Sequence, residues 1–554
     1  MLANDYKNIN WKLCNIKLLN LQHEILKAFR VGNKSQVKKL QHDLIRSFSA
    51  RALAIRKISS NKGNNTPGID GQLMNTDELK MVCINRLKNL KNYKASPVKR
   101  IHIRKNDGKT RPIGIPTFFD RAVQTLFLFT IEPIMEEISC DRAYGFRLGK
   151  SLHDCATYLF FVLASVTATR RFILCTDIDK FFDSVSHTWL LNNVPMNRAI
   201  LHEFLKAGFL HLNVKYATHV GFPQGSPISP ALANIALSGM QKFLGPEFLC
   251  TRFADDFVVL GKTFNNLKTT GLTLINEFIA LRGLKLNLSK TKIYNIQEGF
   301  DFLGLNFREY SDKTRIRGTK LGALLIKPKK SKINEFIKDL TQTVKSHKNS
   351  KNFLLLIIKL NQKLRGFAEH YRKYVAKKIF SFINFRLFKT IYSMIKKKHR
   401  GRNATWRNRA YFCKIKKTNW NFCYKIRGKV VISLFNITQV PIKRHRLAKT
   451  GNPYDPENYA NFKARTKLLA NSCITSSKTK AILLTKQKGY CPVCGERLQN
   501  QEDLNIHHIS PKKKGGSHKI KNLLLLHKIC HVQVEISTDT ALQATFLREG
   551  FIAK

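Results

Sequence analysis

The chain has 554 residues, of which 43% are hydrophobic, a proportion that supports packed cores for several domains and excludes wholesale disorder. Lys and Arg number 97 against 36 Asp and Glu, and the resulting net charge of +61 predicts a polyanionic partner, nucleic acid before an acidic membrane surface. The longest weakly polar run, residues 156–169, is shorter than the roughly 20 apolar residues of a membrane-spanning helix and predicts a buried helix.

The cysteines and the first residues bear on the compartment. The 12 cysteines do not form the dense framework of a small secreted domain, which predicts a reducing environment. The first ten residues resemble neither a signal nor a transit peptide, so we expect synthesis in the compartment where the protein works. The abundance of Lys, Asn, Ile and Phe is typical of AT-rich organelle genomes. It favours an organelle, the chloroplast before the mitochondrion, with the bacterial cytoplasm as the alternative.

Apolar residues recur at helical spacing in the first 60 residues and predict helices there. The Pro- and Gly-containing run from Asn64 to Gly71 predicts a loop. From about residue 100 to 310, short strand-like runs alternate with longer helical patterns, which predicts an α+β domain around a small sheet. The predicted strands are residues 100–103, 172–177, 257–260 and 301–307.

Acidic residues follow or precede two of these strands. Asp177 ends a buried run, whereas Asp255 and Asp256 have the pattern of a hairpin tip. Adjacent strand residues face opposite ways, so one acid points at a shared site unless the turn redirects the other. Together, Asp177 and Asp255 could hold two Mg²⁺ ions about 4 Å apart. Paired acids in turns also occur simply as turn formers.

A rigid Pro- and Gly-rich loop, residues 221–230, is predicted to enter a helix at Ala231. Such a loop suits contact between Gln224 and a flat ligand such as a base pair. Earlier in the chain, Lys105 and Arg111 flank a Gly-containing turn and are suited to contact a triphosphate.

The segment from about 330 to 425 lacks strand patterns and is predicted to be helical and strongly basic. Aromatic residues interleave with its cations, which favours nucleic-acid contact over a merely solvated face. These aromatic residues are Phe367, Tyr371, Tyr374, Trp406, Tyr411 and Phe412. A connector from Gly451 to Glu457 then leads to a Cys/His-rich module.

Two residue pairs of this module share the same spacing. Cys491 and Cys494 form one pair, and His527 and Cys530 form the other. Four such ligands suit a structural, tetrahedral Zn²⁺ better than they suit a small core of reduced cysteines.

Seven blocks stand in the order of the reverse transcriptase blocks of group II intron-encoded proteins, and the chain resembles this family over nearly its whole length. The blocks are Arg-Pro-Ile-Gly-Ile-Pro (111–116), Tyr-Gly-Phe-Arg (144–147), the strand end 177–183, Pro-Gln-Gly (223–225), Phe-Ala-Asp-Asp (253–256), Leu-Asn-Leu-Ser-Lys-Thr-Lys (286–292) and Phe-Leu-Gly (302–304).

The resemblance implies a right-hand polymerase with fingers and palm, and a role for each matched residue. Asp177, Asp255 and Asp256 would be the catalytic acids, with Asp177 and Asp255 as direct Mg²⁺ ligands. Phe182 would exclude a ribose 2′-hydroxyl, which implies dNTP substrates. The other implied substrate contacts are Gln224 at the nascent base pair, Lys290 near the triphosphate, and Lys105 and Arg111 in the fingers.

Residues 364–372 resemble a stretch of the family's α-helical thumb, the maturase domain X. Phe367 replaces a Trp of the family pattern, and Glu369 adds an acid to a basic surface. The resemblance implies that basic and aromatic surfaces hold intron RNA in its active fold, while the RNA performs the splicing chemistry.

Between the Zn²⁺ ligand pairs, residues 505–509 and the later Asn522 and His531 resemble a small ββα-metal HNH endonuclease module. By this resemblance His508 is the general base, and His507 and His531 hold one divalent metal ion. Asn522 would orient the base.

The implied architecture is an α+β multidomain chain. Its regions would be an N-terminal helical extension with the start of the fingers (1–98), the fingers and palm (99–310), the thumb and domain X (311–425), a connector with DNA-binding function (426–477) and the HNH module (478–545).

The implied function combines an RNA-directed DNA polymerase, a maturase, and an endonuclease that nicks target DNA for target-primed reverse transcription. Group II intron RNA, target DNA and dNTPs are the expected partners, with a homodimer left open and no membrane partner. The main alternative is a splicing-only maturase with non-functional catalytic sites. A free-standing reverse transcriptase or endonuclease and a basic packaging protein are further alternatives, and the last leaves the ordered acids and histidines unexplained.

Overall fold

The computed structural model describes residues 5–104, 108, 110–165, 168–315, 322–350, 352–415, 418–448, 450–459, 461–462, 465, 478–487, 489–495, 498, 504–511, 515–528, 530–531 and 534. The chain divides into two compact units. The first comprises Met1–Cys155, Thr176–Lys292 and Ala448–Lys554, and the second comprises Ala156–Cys175 and Ile293–Leu447.

The described helices are numbered in chain order: α1 (Trp11–Arg30), α2 (Lys34–Arg46), α3 (Phe48–Ser60), α4 (Asp77–Arg86), α5 (Phe118–Ile138), α6 (Leu152–Ala164), α7 (Phe181–Ser184), α8 (His187–Asn193), α9 (Arg198–Lys206), α10 (Ser229–Ala236), α11 (Met240–Leu244), α12 (Phe264–Asn266), α13 (Leu272–Ala280), α14 (Lys330–Ser346), α15 (Leu354–Tyr371), α16 (Lys377–Lys398), α17 (Ala404–Tyr411) and α18 (Lys478–Lys486).

The described strands are β1 (Val98–Arg104), β2 (Thr110–Ile115), β3 (Phe172–Thr176), β4 (Phe209–His211), β5 (Val214–Tyr216), β6 (Leu249–Phe253), β7 (Asp256–Gly261), β8 (Lys292–Asn295), β9 (Phe300–Phe302), β10 (Leu305–Arg315), β11 (Gly322–Pro328), β12 (Phe412–Ile415), β13 (Thr418–Ile426), β14 (Lys429–Ser433), β15 (Leu504–His508) and β16 (Leu523–His527).

The first unit begins with the helices predicted for the first 60 residues. The side chain of Asn10 accepts a hydrogen bond from the Leu13 amide at 3.0 Å and so caps α1, and Asn33 caps α2 in the same way. Helices α1 and α3 pack against each other and against α5. Because α5 is buried on nearly all sides, it forms the centre of this packing.

Three groups of strands belong to the first unit. One sheet has the order β2-β1-β4-β5, in which β1 pairs antiparallel with β2 and parallel with β4. Strands β6 and β7 form an antiparallel hairpin, and so do β15 and β16. The predicted strands at residues 100–103 and 257–260 are therefore confirmed as parts of β1 and β7.

The second unit combines helices α14 to α17 with two three-stranded sheets, ordered β11-β10-β9 and β12-β13-β14, and its strands β3 and β8 are neighbours. The predicted strand 301–307 is two strands. Leu303 and Gly304 have φ angles of 51° and 77°, so the backbone turns there and β9 pairs antiparallel with β10.

The prediction that residues 330–425 contain no strand is wrong at its end. Strands β12 and β13 pair antiparallel, and Phe412 lies opposite Phe422. Both rings are buried, because short strands rich in aromatic residues can bury one face even when cations occupy neighbouring positions.

The expectation of an aromatic RNA-binding surface also needs correction. Phe367, Tyr371, Tyr374 and Phe412 are buried, and the Phe367 ring stacks on Phe336 with centroids 4.2 Å apart. These rings therefore stabilise the unit by packing. Among the six interleaved aromatic residues, Trp406 has an exposed side chain.

The weakly polar run 156–169 is largely helical, since α6 extends to Ala164. Among the residues that the structure describes, no helix has both the length and the apolar character needed to cross a membrane.

Candidate functional site

The β6–β7 hairpin presents two adjacent acids. Phe253 pairs with Asp256 across the hairpin, so Ala254 and Asp255 form its tip. Ala254 has a φ of 58°, a left-handed conformation that turns the chain within two residues. The Asp255 side chain is half-buried and that of Asp256 is exposed.

Asp177 directly follows β3 and is held against the segment that contains Lys290. The Asp177 carbonyl accepts a hydrogen bond from the Asn287 amide at 2.8 Å, and the Asp179 amide donates to the Lys285 carbonyl at 2.9 Å. This antiparallel pairing brings Lys290 Nζ to 2.5 Å from Asp177 Oδ2. Lys290, expected near a triphosphate, is thus ion-paired with a catalytic candidate.

The three acids influence one another electrostatically. Burial raises the pKa of Asp255, and the charge of Asp177 raises it further. Part of the Asp256 side chain is exposed to solvent, but its pKa is raised to about 6, mainly through desolvation by the surrounding protein. The negative charges of Asp255 and Asp177 contribute to this rise. Arg111 and Lys290 act in the opposite direction on both acids.

A divalent cation would relieve this mutual repulsion, so the charge of the three acids fits such an ion, although their oxygen atoms do not all lie within 4.8 Å of one another. Carboxylate oxygens are the ligands that Mg²⁺ prefers. Asp177, at the end of β3, and Asp255 and Asp256, at the β6–β7 hairpin, therefore lie near enough to interact electrostatically.

The Tyr-Gly-Phe-Arg block braces the hairpin tip. The Tyr144 amide donates to the Arg252 carbonyl at 3.0 Å, and Asn234 Nδ2 donates to the Gly145 carbonyl at 3.0 Å. A Cβ atom on Gly145 would lie 2.1 Å from the Ala254 nitrogen, so only glycine allows this approach.

The Pro-Gln-Gly loop lies against strand β2. Arg111 Nε donates to Gln224 Oε1 at 2.7 Å, and the Gly114 amide donates to the Gln224 carbonyl, also at 2.7 Å. Gly225 has a φ of 112°, and a Cβ atom there would come within 2.8 Å of the Gly114 oxygen. Two predicted substrate contacts, Arg111 and Gln224, are therefore neighbours.

Phe182 is buried beside the same loop. Its ring packs edge-on against Phe222 with centroids 5.5 Å apart, and its carbonyl accepts a hydrogen bond from the Phe222 amide at 2.8 Å. These contacts fix its position next to the Asp177 segment. Lys105, the remaining predicted fingers contact, lies outside the described residues.

Cys491, Cys494, His527 and Cys530 form a cluster, with ligand atoms that all lie within 4.8 Å of one another. All four residues are buried. Within the described part of the chain, no other group of three or more His, Cys, Asp or Glu residues has its ligand atoms this close together. Three sulfur atoms and one imidazole nitrogen fit tetrahedral Zn²⁺.

The candidate nuclease residues lie in or near the β15–β16 hairpin. His507 and His508 end β15, and His531 is helical. The His507 and His531 rings are edge-on with centroids 5.3 Å apart, which is compatible with a shared ion.

Asn522 braces the loop that follows His508. Its Oδ1 accepts a hydrogen bond from the Ser510 amide at 2.7 Å, and its Nδ2 donates to the Ser517 carbonyl at 2.8 Å. Asn522 is therefore hydrogen-bonded to the backbone of the loop that directly follows His508.

Two residues in these sites were not predicted from the sequence. His518 Nδ1 lies 2.9 Å from His508 Nε2, and Arg56 Nη2 lies 3.0 Å from Cys494 Sγ. His518 follows a Gly-Gly pair close to the histidine motif, so its proximity could have been suspected. Arg56 is 438 positions from Cys494 in the sequence, and no sequence pattern indicated that the two residues are in contact.

Comparison with known families gives four matches in chain order. They are the N-terminal domain of reverse transcriptase (residues 6–87), reverse transcriptase, or RNA-dependent DNA polymerase (103–307), the group II intron maturase-specific domain (333–412) and HNH endonuclease (491–535).

Curated relatives come from bacteria and from eukaryotes. Protein YkfC of Escherichia coli (strain K12) is 30% identical over 301 residues, which cover 46% of this chain and 78% of the relative. Group II intron-encoded protein LtrA of Lactococcus lactis subsp. cremoris is 34% identical over 204 residues, 35% of this chain and 33% of LtrA. Maturase-like protein 1 of Euglena longa is 25% identical over 55% of this chain and 67% of its own length.

Proposed function

The chain belongs to the family of group II intron-encoded proteins with reverse transcriptase, maturase and HNH domains, and from this premise we propose that it carries out all three activities on its own intron. The observation that supports the proposal best is the convergence of Asp177, Asp255 and Asp256 at one site. Because the match spans only a third of LtrA, the activities of the whole protein are part of the proposal.

We propose that residues 99–310 polymerise DNA on an RNA template. Asp177 and Asp255 would hold Mg²⁺, which when bound activates the primer 3′-hydroxyl and stabilises the leaving pyrophosphate. Asp256 adds negative charge, and Lys290 would exchange its partner Asp177 for the incoming triphosphate. Phe182 would select dNTPs by excluding a ribose 2′-hydroxyl, and the Arg111–Gln224 pair would contact the incoming nucleotide and the nascent base pair. Lys105 would add a fingers contact.

We propose that residues 99–310 form the fingers and palm of a right-hand polymerase. Residues 311–425, with helices α14 to α17, would form the thumb and domain X. With aromatic rings mostly in the core, RNA binding by this region would rest chiefly on its cations and on exposed rings such as Trp406.

We propose that the C-terminal module is a ββα-metal nuclease that nicks target DNA. His508 would act as general base, because it follows the metal-binding candidate His507 directly in β15, and the His507 ring packs against His531. Asn522 would orient it through the Ser510 loop. The cluster of Cys491, Cys494, His527 and Cys530 would hold a structural Zn²⁺ that secures the fold of the module.

The proposed partners are group II intron RNA, target DNA and dNTPs. The proposed location is an organelle whose genome encodes the protein, the chloroplast before the mitochondrion, and composition supports this choice. A bacterial cytoplasm remains the alternative, as does a homodimer for the oligomeric state.

The test is primer extension on an RNA template with dNTPs and Mg²⁺, run beside a nicking assay on target DNA. We expect Asp255→Ala to abolish extension and leave nicking, and His508→Ala to do the reverse. A folded, RNA-binding wild-type protein that neither extends nor nicks would leave the splicing-only maturase as the function.

A further inference from the structure

A buried arginine of the N-terminal helices points at the metal-binding cluster of the C-terminal module. Arg56, on α3, is 6% exposed. Its Nη2 lies 3.0 Å from Cys494 Sγ and 3.5 Å from Cys530 Sγ, and 3.3 Å from His527 Nδ1. One guanidinium nitrogen therefore approaches three of the four candidate ligands.

The Arg56 guanidinium also packs over an aromatic ring. Its carbon lies 4.8 Å from the centroid of the Trp11 ring, and Tyr6 packs edge-on against Trp11 at 5.2 Å. Both aromatic residues are almost fully buried. Arg56 is thus held between the first helices of the chain and the cluster, with little freedom to turn away.

The charges explain why a cation is placed there. Cysteines bind Zn²⁺ as thiolates, so three thiolates and a neutral imidazole around one Zn²⁺ carry a net negative charge. Burying such a charge is costly unless it is paired. A guanidinium that donates hydrogen bonds to thiolate sulfur compensates the charge and orients the ligands.

We propose that Arg56 is a positioning residue for the Zn²⁺ site, so that the nuclease module needs the N-terminal helices for full metal affinity. This inference rests on the proposed Zn²⁺ site. Outer partners of metal ligands typically contribute about 10- to 100-fold in metal affinity, and we expect a loss of that size when the guanidinium is removed.

The experiment compares full-length wild type with Arg56→Gln, Arg56→Lys and a matched control, Arg51→Gln. Arg51 is a buried arginine on the same helix, and its Nη1 donates to the Ile84 carbonyl at 2.6 Å. Zn²⁺ affinity is measured by competition with a chromophoric chelator, and the ligand set is followed by the thiolate-to-metal absorption of Co²⁺-loaded protein. Circular dichroism verifies folding.

We expect Arg56→Gln to bind Zn²⁺ about 10- to 100-fold more weakly and to alter the Co²⁺ spectrum. Arg56→Lys, which retains a charge, should recover part of the affinity, and it provides the test if Arg56→Gln does not fold. Arg51→Gln should keep wild-type affinity.

Equal losses in Arg51→Gln and Arg56→Gln would overturn the inference, since they would trace the effect to a weakened helix. An unchanged affinity in Arg56→Gln would overturn it while leaving the Zn²⁺ site intact. Wild-type protein without measurable Zn²⁺ or Co²⁺ affinity would instead refute the site itself.

Discussion

The ammonium nitrogen of Lys290 lies 2.5 Å from Oδ2 of Asp177, so one of the proposed catalytic acids is paired with a cation from the chain itself. The ion pair also raises the pKa of Lys290, mainly through its hydrogen bond to Asp177. If Asp177 binds Mg²⁺ through Oδ2, the ion displaces Lys290, and the released ammonium group can bind a triphosphate.

We expect Lys290→Met to lower the Mg²⁺ concentration for half-maximal primer extension while raising the KM for dNTPs. Because the ion pair is largely exposed, the Mg²⁺ effect should be modest, about two- to fivefold. Lys292→Met, an exposed lysine two positions away, is the control and should change neither quantity. Mg²⁺ dependence identical to that of wild type would contradict the displacement.

The raised pKa of Asp256 predicts that the stability of the metal-free protein depends on pH. Its pKa in the folded protein is raised to about 6, so ionisation disfavours the folded state. The stability that protonated Asp256 contributes is present below pH 4 and is lost as the pH rises through 6. Asp256→Asn should therefore melt higher than wild type at pH 7.5, by about 2 °C, with little difference near pH 4.

Differential scanning fluorimetry of the metal-free proteins measures this difference. Adding Mg²⁺ should reduce it, since the cation offsets the same repulsion in wild type. A melting temperature for Asp256→Asn below that of wild type at pH 7.5 would refute the electrostatic explanation.

Gly145→Ala tests the close packing of Gly145 against Ala254 at the tip of the β6–β7 hairpin. The new methyl group would collide with the Ala254 backbone, which must move and carry Asp255 with it. We expect a loss of about 1–3 kcal/mol in the free energy of unfolding and a loss of primer extension. Gly401→Ala is the control, because a Cβ atom there meets nothing within 4 Å. Full extension activity in Gly145→Ala would show that the tip tolerates displacement.

His518 should matter for nicking because its ring nitrogen lies 2.9 Å from that of His508. A hydrogen bond between the two rings would fix the orientation of His508, the proposed general base. We expect His508→Ala to lower the nicking rate by about 10²- to 10⁴-fold and His518→Ala by about tenfold. His518→Gln, which can still hydrogen-bond, should recover much of the loss.

Primer extension provides the internal control for both histidine variants and should be unchanged. If His518→Ala nicks DNA as fast as wild type, the contact with His508 has no function. If His518→Gln is no better than His518→Ala, the imidazole acts in some way other than orientation.

The sequence by itself determined the features that depend on short segments. The strand-end position of Asp177, the hairpin around Asp255 and the spacing of the two metal-ligand pairs are local patterns, because hydrophobic periodicity and turn chemistry act over a few residues. The order of the blocks also indicated which distant segments belong to one site.

Only the tertiary structure decided which side chains meet. Arg56 and Cys494 are separated by 438 positions, and no local pattern encodes their contact. The same holds for Arg111 with Gln224 and for Lys290 with Asp177. Burial, too, was decided by packing: Phe367 and Phe412 share a basic segment with Trp406, yet the first two are in the core. Side-chain partners depend on how whole elements pack, and packing is a property of the folded chain rather than of any single segment.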